Sequence, residues 1–271
     1  MPVYLQYYFW LIAISLLCLV LERLAPWRKG QRVLRPGIAQ DLFWLVFNGH
    51  YLGLIFALFT GRAIQLLNTA LYQAGLPVPE SLQLLSGTPL WVQFVVLVVV
   101  KDFVEWNVHR LLHNVPWLWE FHKLHHSIEE LDWIGNFRFH WGEIVIYKTL
   151  SYLPLVVLGV DPRVMLVAAV LWTLMLDLNH ANLRFDWGPL RYVLNSPKMH
   201  VWHHDVEVHG KGGQNFGQVL SVWDWIFGTA YWPEERERPE RFGFAGMERY
   251  PRGVLGRFVY PLWRPRRGKP A

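Results

Sequence analysis

Residues 90–126 read LWVQFVVLVVVKDFVEWNVHRLLHNVPWLWEFHKLHH, and this stretch decides the kind of fold the chain adopts. The apolar run Leu90–Val100 is too short to cross a bilayer by itself. It becomes long enough if one helix continues through Lys101, Asp102 and Glu105, a span of about 90–109 that carries His109 and His113 out of the hydrocarbon. His122, His125 and His126 follow. Residues three and four apart share a helix face, so His109 points with His113, and His122 with His125 and His126. The stretch encodes a membrane helix that ends in clustered imidazoles.

Moving outward, the series goes on with a lone His140, a lone His180 and His200-x-x-His203-His204, so ten of the chain's 12 histidines are ordered and H-x-x-H-H occurs twice. One such triplet arises by chance in only about 0.02 of chains of this size and composition. Neutral imidazole is a common metal ligand that brings no charge to neutralise. Ten imidazoles exceed the about four to six ligands of one ion. The arithmetic predicts two metals in one all-histidine site, each triplet serving both ions. The candidate ligands are His109, His113, His122, His125, His126, His140, His180, His200, His203 and His204. His50, alone in an apolar run, reads as a hydrogen-bonded interior residue, and His209, in a glycine-rich loop, as a surface or supporting one.

The rest of the chain fits a membrane. Hydrophobic residues make up 53% and charged residues 17% of 271, against about 25% charged in soluble domains. Its 16 Trp and 11 Tyr are rings that collect at the membrane–water boundary. The single Cys18 rules out an internal disulfide, iron–sulfur ligation and a cysteine zinc knuckle. A net charge of +5, spread beside apolar segments, speaks against nucleic-acid binding. Further spans are expected at about 5–21 and 42–60, the latter interrupted by Asn48, Gly49 and His50. A helical hairpin is expected over 144–178, turned by the Asp161-Pro162 signal. No cleaved signal peptide is expected at the first span. Arg23, Arg28, Lys29, Arg32 and Arg35 after it, and the basic tail, place these loops in the cytoplasm by the positive-inside rule. All histidine clusters then fall on the cytoplasmic side. The expected fold is all-α: one domain over 1–271, a polytopic membrane helical bundle with a cytoplasmic histidine-rich cap at 102–229.

The motifs resemble those of the fatty acid hydroxylase/sterol desaturase superfamily, membrane di-iron oxygenases, over Asp102 to Thr229. Asp102 through His109-Arg110 to His113 is similar to its D-x6-H-R-x-x-H opening. Pro116-x-Leu118-Trp119 then leads into His122-x-x-His125-His126. His140 with Glu143 resembles its H-P-x-E, with Trp141 where proline is usual, and His180-Ala181-Asn182 its lone histidine. The series closes with His200-x-x-His203-His204 and N-F-G…W-D-x-x-F-G-T, Asn215 to Thr229. The spacing of the first pair and the single His180 pull toward the sterol desaturase, methyl-sterol oxidase and alkylglycerol monooxygenase branches and toward short bacterial members.

The resemblance implies two iron ions, with zinc a possible occupant after expression, that use O2 to take hydrogen from an unactivated C–H bond. Rebound then gives an alcohol, and loss of a second hydrogen an alkene. It implies a lipid substrate: a sterol, a fatty acyl chain or an ether lipid. Asp102, Glu105, Glu143 and Asn182 become candidates to hold the outer ring N–H groups, and Phe103, Trp106, Trp172 and Leu176 to line an apolar cleft toward the bilayer. With no G-x-G-x-x-G and no iron–sulfur cysteines, electrons are expected from a separate ferredoxin- or cytochrome-type donor. The expected location is a bacterial inner membrane, multi-pass. Two rival readings are a membrane metal transporter, which expects histidines inside the spans, and a zinc-dependent membrane hydrolase, which leaves most of these histidines idle.

Overall fold

The computed structural model describes residues 4 and 6–262, apart from the side chains of residues 50, 54–60, 63, 80 and 152–154. It is helical, with no strand among the described residues. Three helices are long and apolar enough to cross a membrane by length and composition: α1 (Tyr7–Leu24) and the hairpin pair, labelled α6 (Trp141–Leu158) and α7 (Pro162–His180) in chain order. On α1, Ile14, Cys18 and Glu22 form one buried stripe, and α1 packs on α7. Ile12, Leu16 and Val20 on its other face are 61%, 56% and 52% exposed. An outward apolar face on a helix with satisfied backbone is what a bilayer selects.

The 144–178 stretch forms the two helices α6 and α7, with the break between them where Asp161-Pro162 predicted a turn. Asp161 caps α7 by accepting from the Arg163 amide, and Pro162 takes the first helical position, where its missing N–H costs nothing. Gly159 ends α6 at φ 62°, and a Cβ there would meet Gln83 at 2.5 Å, so only glycine fits this turn.

The expected span at 42–60 is helical but not continuous. α2 (Ile38–Val46) passes through one π turn, Phe47–Tyr51, into α3 (Leu52–Gln73). The polar interruption has a reason: Asn48 donates to the carbonyls of Phe137 and Phe139 at 3.1 and 2.9 Å. The His50 side chain lies outside the described residues. The span expected at 90–109 lies within α4 (Leu90–Asn114), which carries Lys101, Asp102 and Glu105 in its middle. Val115 is extended ahead of Pro116, as a residue before proline prefers. That break ends α4 and starts α5 (Pro116–His126).

Three short helices complete the fold: α8 (Pro197–His203), α9 (Val222–Phe227) and α10 (Val254–Val259). Leu97, Val164, Ala168, Trp172, Met175 and Val219 form the core joining α4 and α7 to the 219–220 turn. A second brace is ionic. Arg35 donates twice to Asp132 at 2.6 and 2.5 Å and once to Asp41 at 2.7 Å. Arg138 donates to Asp41 at 2.5 Å and to the Ser127 carbonyl at 2.6 Å. Arg35 is 3% exposed, so it is a structural ion and not one of the free loop charges among which the sequence pattern placed it.

Candidate metal centre

Four elements deliver the histidines. His109 and His113 come from the end of α4, the first triplet from α5, His180 from the last residue of α7, and the second triplet from α8 and its cap. Within each H-x-x-H-H, the first and third histidines lie about 40° apart around the helix, and the middle one about 60° to the other side. The two kinds therefore face different centres. His109, His113, His122, His126 and His203 form a first group, and His125, His180, His200 and His204 a second, with the ligating atoms within 4.8 Å of one another in each. The middle member of each triplet crosses to the other group.

The hydrogen bonds decide which nitrogen looks inward. His109 Nδ1 lies 2.8 Å from the Phe216 carbonyl, His180 Nδ1 2.8 Å from that of Leu176, and His203 Nδ1 2.9 Å from that of Gln214. A carbonyl only accepts, so each of these Nδ1 atoms carries the hydrogen and each Nε2 presents a lone pair. His122 Nδ1 likewise meets Glu143 at 2.7 Å. Yet His109 Nε2 and His122 Nε2 face each other at 3.2 Å, and His180 Nε2 sits 3.2–3.3 Å from the Nε2 atoms of His125, His200 and His204. Converging lone pairs repel unless a cation lies among them, and these separations suit donors about 2.0–2.2 Å from one ion. Burial, reinforced by repulsion among the rings, holds His113, His122, His125, His126, His200, His203 and His204 well below the ordinary histidine range. They are neutral donors at pH near 7, as a metal requires.

The structure thus brings together nine of the ten expected ligands. His140 is apart, and the reason is chemical. It caps α6, with Nδ1 accepting from the Gly142 amide at 3.0 Å and Nε2 donating to the Phe258 carbonyl at 3.0 Å. Both ring nitrogens are used, leaving no lone pair for an ion. Trp141, in the place where proline was expected, donates to the same carbonyl at 2.9 Å, tying α6 to α10. His209 pairs with Asp205 at 2.8 Å and stacks on Tyr231.

Of the four polar residues expected behind the ligands, only Glu143 touches a histidine. Asp102 accepts from the amides of Val219 and Leu220 and from Trp223 Nε1. Glu105 takes Lys101, Ser151 and Trp172, and Asn182 ties down Arg28. The sequence reading missed the carbonyls of Gln214, Phe216 and Leu176, since any residue type supplies one. The signal that marks two of them is the closing motif. Asp224 accepts from the Phe216 and Gly217 amides at 2.9 and 2.7 Å, from Trp106 at 3.0 Å and from Thr229 at 2.6 Å. Asn215, at φ 54°, bonds Met199 and Tyr231 through its side chain. A Cβ on Gly217 would strike the Leu220 carbonyl at 2.3 Å. These residues aim the 214–216 carbonyls at His203 and His109.

An apolar cavity of about 470 Å³ lies between α4, α6 and α7, with Leu97, Ile144, Leu155, Met165, Trp172 and Leu176 in its wall. It ends beside the second group: Phe139, also in the wall, stacks on His125 with centroids 4.8 Å apart. Trp172 and Leu176 line it as expected. Phe103 and Trp106 do not, because Trp106 is buried on Asp224 and Phe103 packs against Trp106 and Trp223.

Comparison with known proteins agrees with this architecture. The chain is 32% identical over 176 residues to an ornithine lipid hydroxylase of Rhizobium tropici, covering 65% of this chain and 52% of that protein. It is 25% identical over 164 residues to methylsterol monooxygenase 1-1 of Arabidopsis thaliana, covering 58% and 51%. It is 30% identical over 128 residues to the human alkylglycerol monooxygenase, covering 47% and 28%. The chain thus spans about half or less of the length of these relatives. No solved structure matches it. The fatty acid hydroxylase family model matches residues 94–229, the half of the chain that holds every histidine of both groups, and the protein belongs to that family.

Proposed function

We propose that this chain is an O2-dependent oxidoreductase that hydroxylates or desaturates an unactivated C–H bond of a membrane lipid. The observation that carries the reading is the double nest of inward lone pairs set beside an apolar cavity. Neutral nitrogen donors in two groups suit two irons, held by the nine histidines. When bound, the irons would supply O2 activation and the removal of hydrogen from carbon. The chain's own part is to hold the rings through Glu143 and the three carbonyls, and to bring a hydrocarbon to the site while keeping water away. The apolar wall at Trp172, Met165 and Leu176 suits a hydrocarbon tail.

Relatives named for ornithine lipids, methylsterols and alkylglycerols have amphipathic lipids in common, and we assign the substrate to that class. Arg23 sits in the last turn of α1, and Arg28, Lys29 and Arg32 follow it. By the positive-inside rule these charges support a cytoplasmic position for the histidines, and we assign the chain to a bacterial inner membrane. Electrons come from a separate ferredoxin- or cytochrome-type partner. The test is a comparison of lipid extracts from cells with and without the chain, under 18O2 and under argon. A new oxygenated or unsaturated lipid under 18O2 alone is expected. A product that forms equally under argon would sink the oxidation reading.

A further inference from the structure

The two histidine groups meet water differently. In the second group each ring is sealed: His125, His180, His200 and His204 are 2%, 2%, 2% and 0% exposed. In the first, four are as well buried, but the His113 side chain is only partly so. A cleft of about 270 Å³ ends on His113, His126 and His203. Its outer lip, Val206, Phe244 and Ala245, also borders a larger cleft walled by Arg28, Glu129, Arg241 and Arg252. A wall dominated by charged side chains faces water, whereas apolar side chains make up most of the cavity beside the second group, with Lys101, Glu105 and Lys148 the charged residues in it.

The roof of the cleft is bare backbone. Gly212 and Gly213 stand at φ 82° and 117°; a Cβ on Gly212 would fall 1.9 Å from Asn114 Oδ1, and one on Gly213 2.9 Å from Phe216 and 3.5 Å from His113 Nδ1. The loop's anchor lies beyond the roof, where the Gln214 side chain holds the Trp202 carbonyl at 2.6 Å and the His209 amide at 2.9 Å. The roof packs closely on the Asn114 and Phe216 side chains and reaches His113 at Gly213, fastened at its edge.

We propose that this cleft is the exchange door of the first group: a divalent transition-metal ion reaches His109, His113, His122, His126 and His203 from water through it. The ion of the second group has no such door and exchanges only when α7 and α8 part locally. The inference rests on the two-ion reading of the centre. The ligand class follows from the inner wall, since neutral imidazoles select divalent transition metals over magnesium or calcium. Packed helices open rarely while a surface loop opens readily, so the two ions leave at rates that differ by about tenfold or more.

The test uses the full chain in nanodiscs, loaded with Co2+ and mixed with an excess of a water-soluble chelator while cobalt absorbance is followed. Two phases of one ion each are expected. Ala245→Trp narrows the lip and should slow the fast phase several-fold, leaving the slow phase and the total cobalt unchanged. Ala245 is exposed, so the fold tolerates the ring; Val208→Trp, at a lip residue 68% exposed, gives a second narrowing. A single phase carrying both ions, or a fast phase indifferent to both variants, overturns the door and leaves the two-ion centre standing. Fewer than two cobalt ions per chain overturns the centre, and the door with it.

Discussion

At His122 the Nδ1 hydrogen goes to Glu143 and Nε2 looks at His109, whereas at His140 both ring nitrogens are spent on the start of α6 and on α10. The residue type is the same, and the second nitrogen's partner decides which of the two binds an ion. His203→Ala should therefore lose product formation and metal together, while His140→Ala keeps its metal and loses only helix-cap stability, about 1 kcal/mol. Metal analysis of both purified variants checks this; normal metal in His203→Ala would contradict the grouping. His140 also predicts a pH effect. Burial lowers it to about 4, from about 6.5 in an unfolded chain. Between those values the unfolded chain binds the extra proton. This residue's contribution is thus fully present above pH about 6.5 and is lost as the pH falls toward about 4. The fall in Tm from about pH 7 to pH 5 should be smaller in His140→Asn, which keeps a capping side chain, than in the parent. Equal falls would show that His140 does not titrate on unfolding.

The elements divide the labour unevenly. α4 and α7 run toward the centre and end on it, so their histidines need only correct helix length and a stop. Pro116 supplies that stop after α4. α8 has seven residues, too few to hold itself in place, and depends on the loop that follows. Its Ser196 cap accepts from the Met199 amide, Asn215 grips the Met199 carbonyl, and Asp224 fixes the turn carrying Phe216 and Gly217. Asp224→Ala would release two buried amides and the Trp106 indole at once. Because the Phe216 carbonyl orients His109, metal affinity should drop by about 10–100-fold, read by competition with a chelator of known affinity. Unchanged affinity, with a lower Tm, would reduce the Asp224 contacts to simple packing.

Over the whole molecule, the apolar cavity and the water-side cleft approach the centre at different histidine groups, so a lipid and a water-borne ion need not share a path. Trp172 is held in the cavity wall by Glu105 at 2.6 Å and covered by Lys101 at 3.8 Å from its ring. Trp172→Ala enlarges the cavity and unpairs that indole partner. It should change chain-length preference or the position of oxidation while leaving metal content intact. Product profiles from a series of acyl lengths would reveal this; an unchanged profile would remove Trp172 from substrate selection. Far from the cavity, the Asp132–Arg35–Asp41–Arg138 brace joins the loop after α1 to α2 and to the segment after α5. It keeps Ser127, next to His126, in register.

Much of this was legible along the chain because it is periodic or local. Histidines at i, i+3 and i+4 announce a metal face wherever a helix forms, and Asp161-Pro162 and the Val115-Pro116 break mark where helices begin and end without reference to anything distant. The pull toward a membrane is likewise a property of composition. What needed the tertiary structure was every choice that depends on a partner far away in sequence. No spacing tells that His140 spends its Nε2 on the Phe258 carbonyl 118 residues away, that Arg35 is neutralised by Asp132 across 97 residues, or that carbonyls of the 214–216 loop hold His203 and His109. A carbonyl is chemically the same at every position, and an ionisable side chain reads alike whether buried or wet. Only the packing of α4, α5, α7 and α8 around one point assigns these groups their roles.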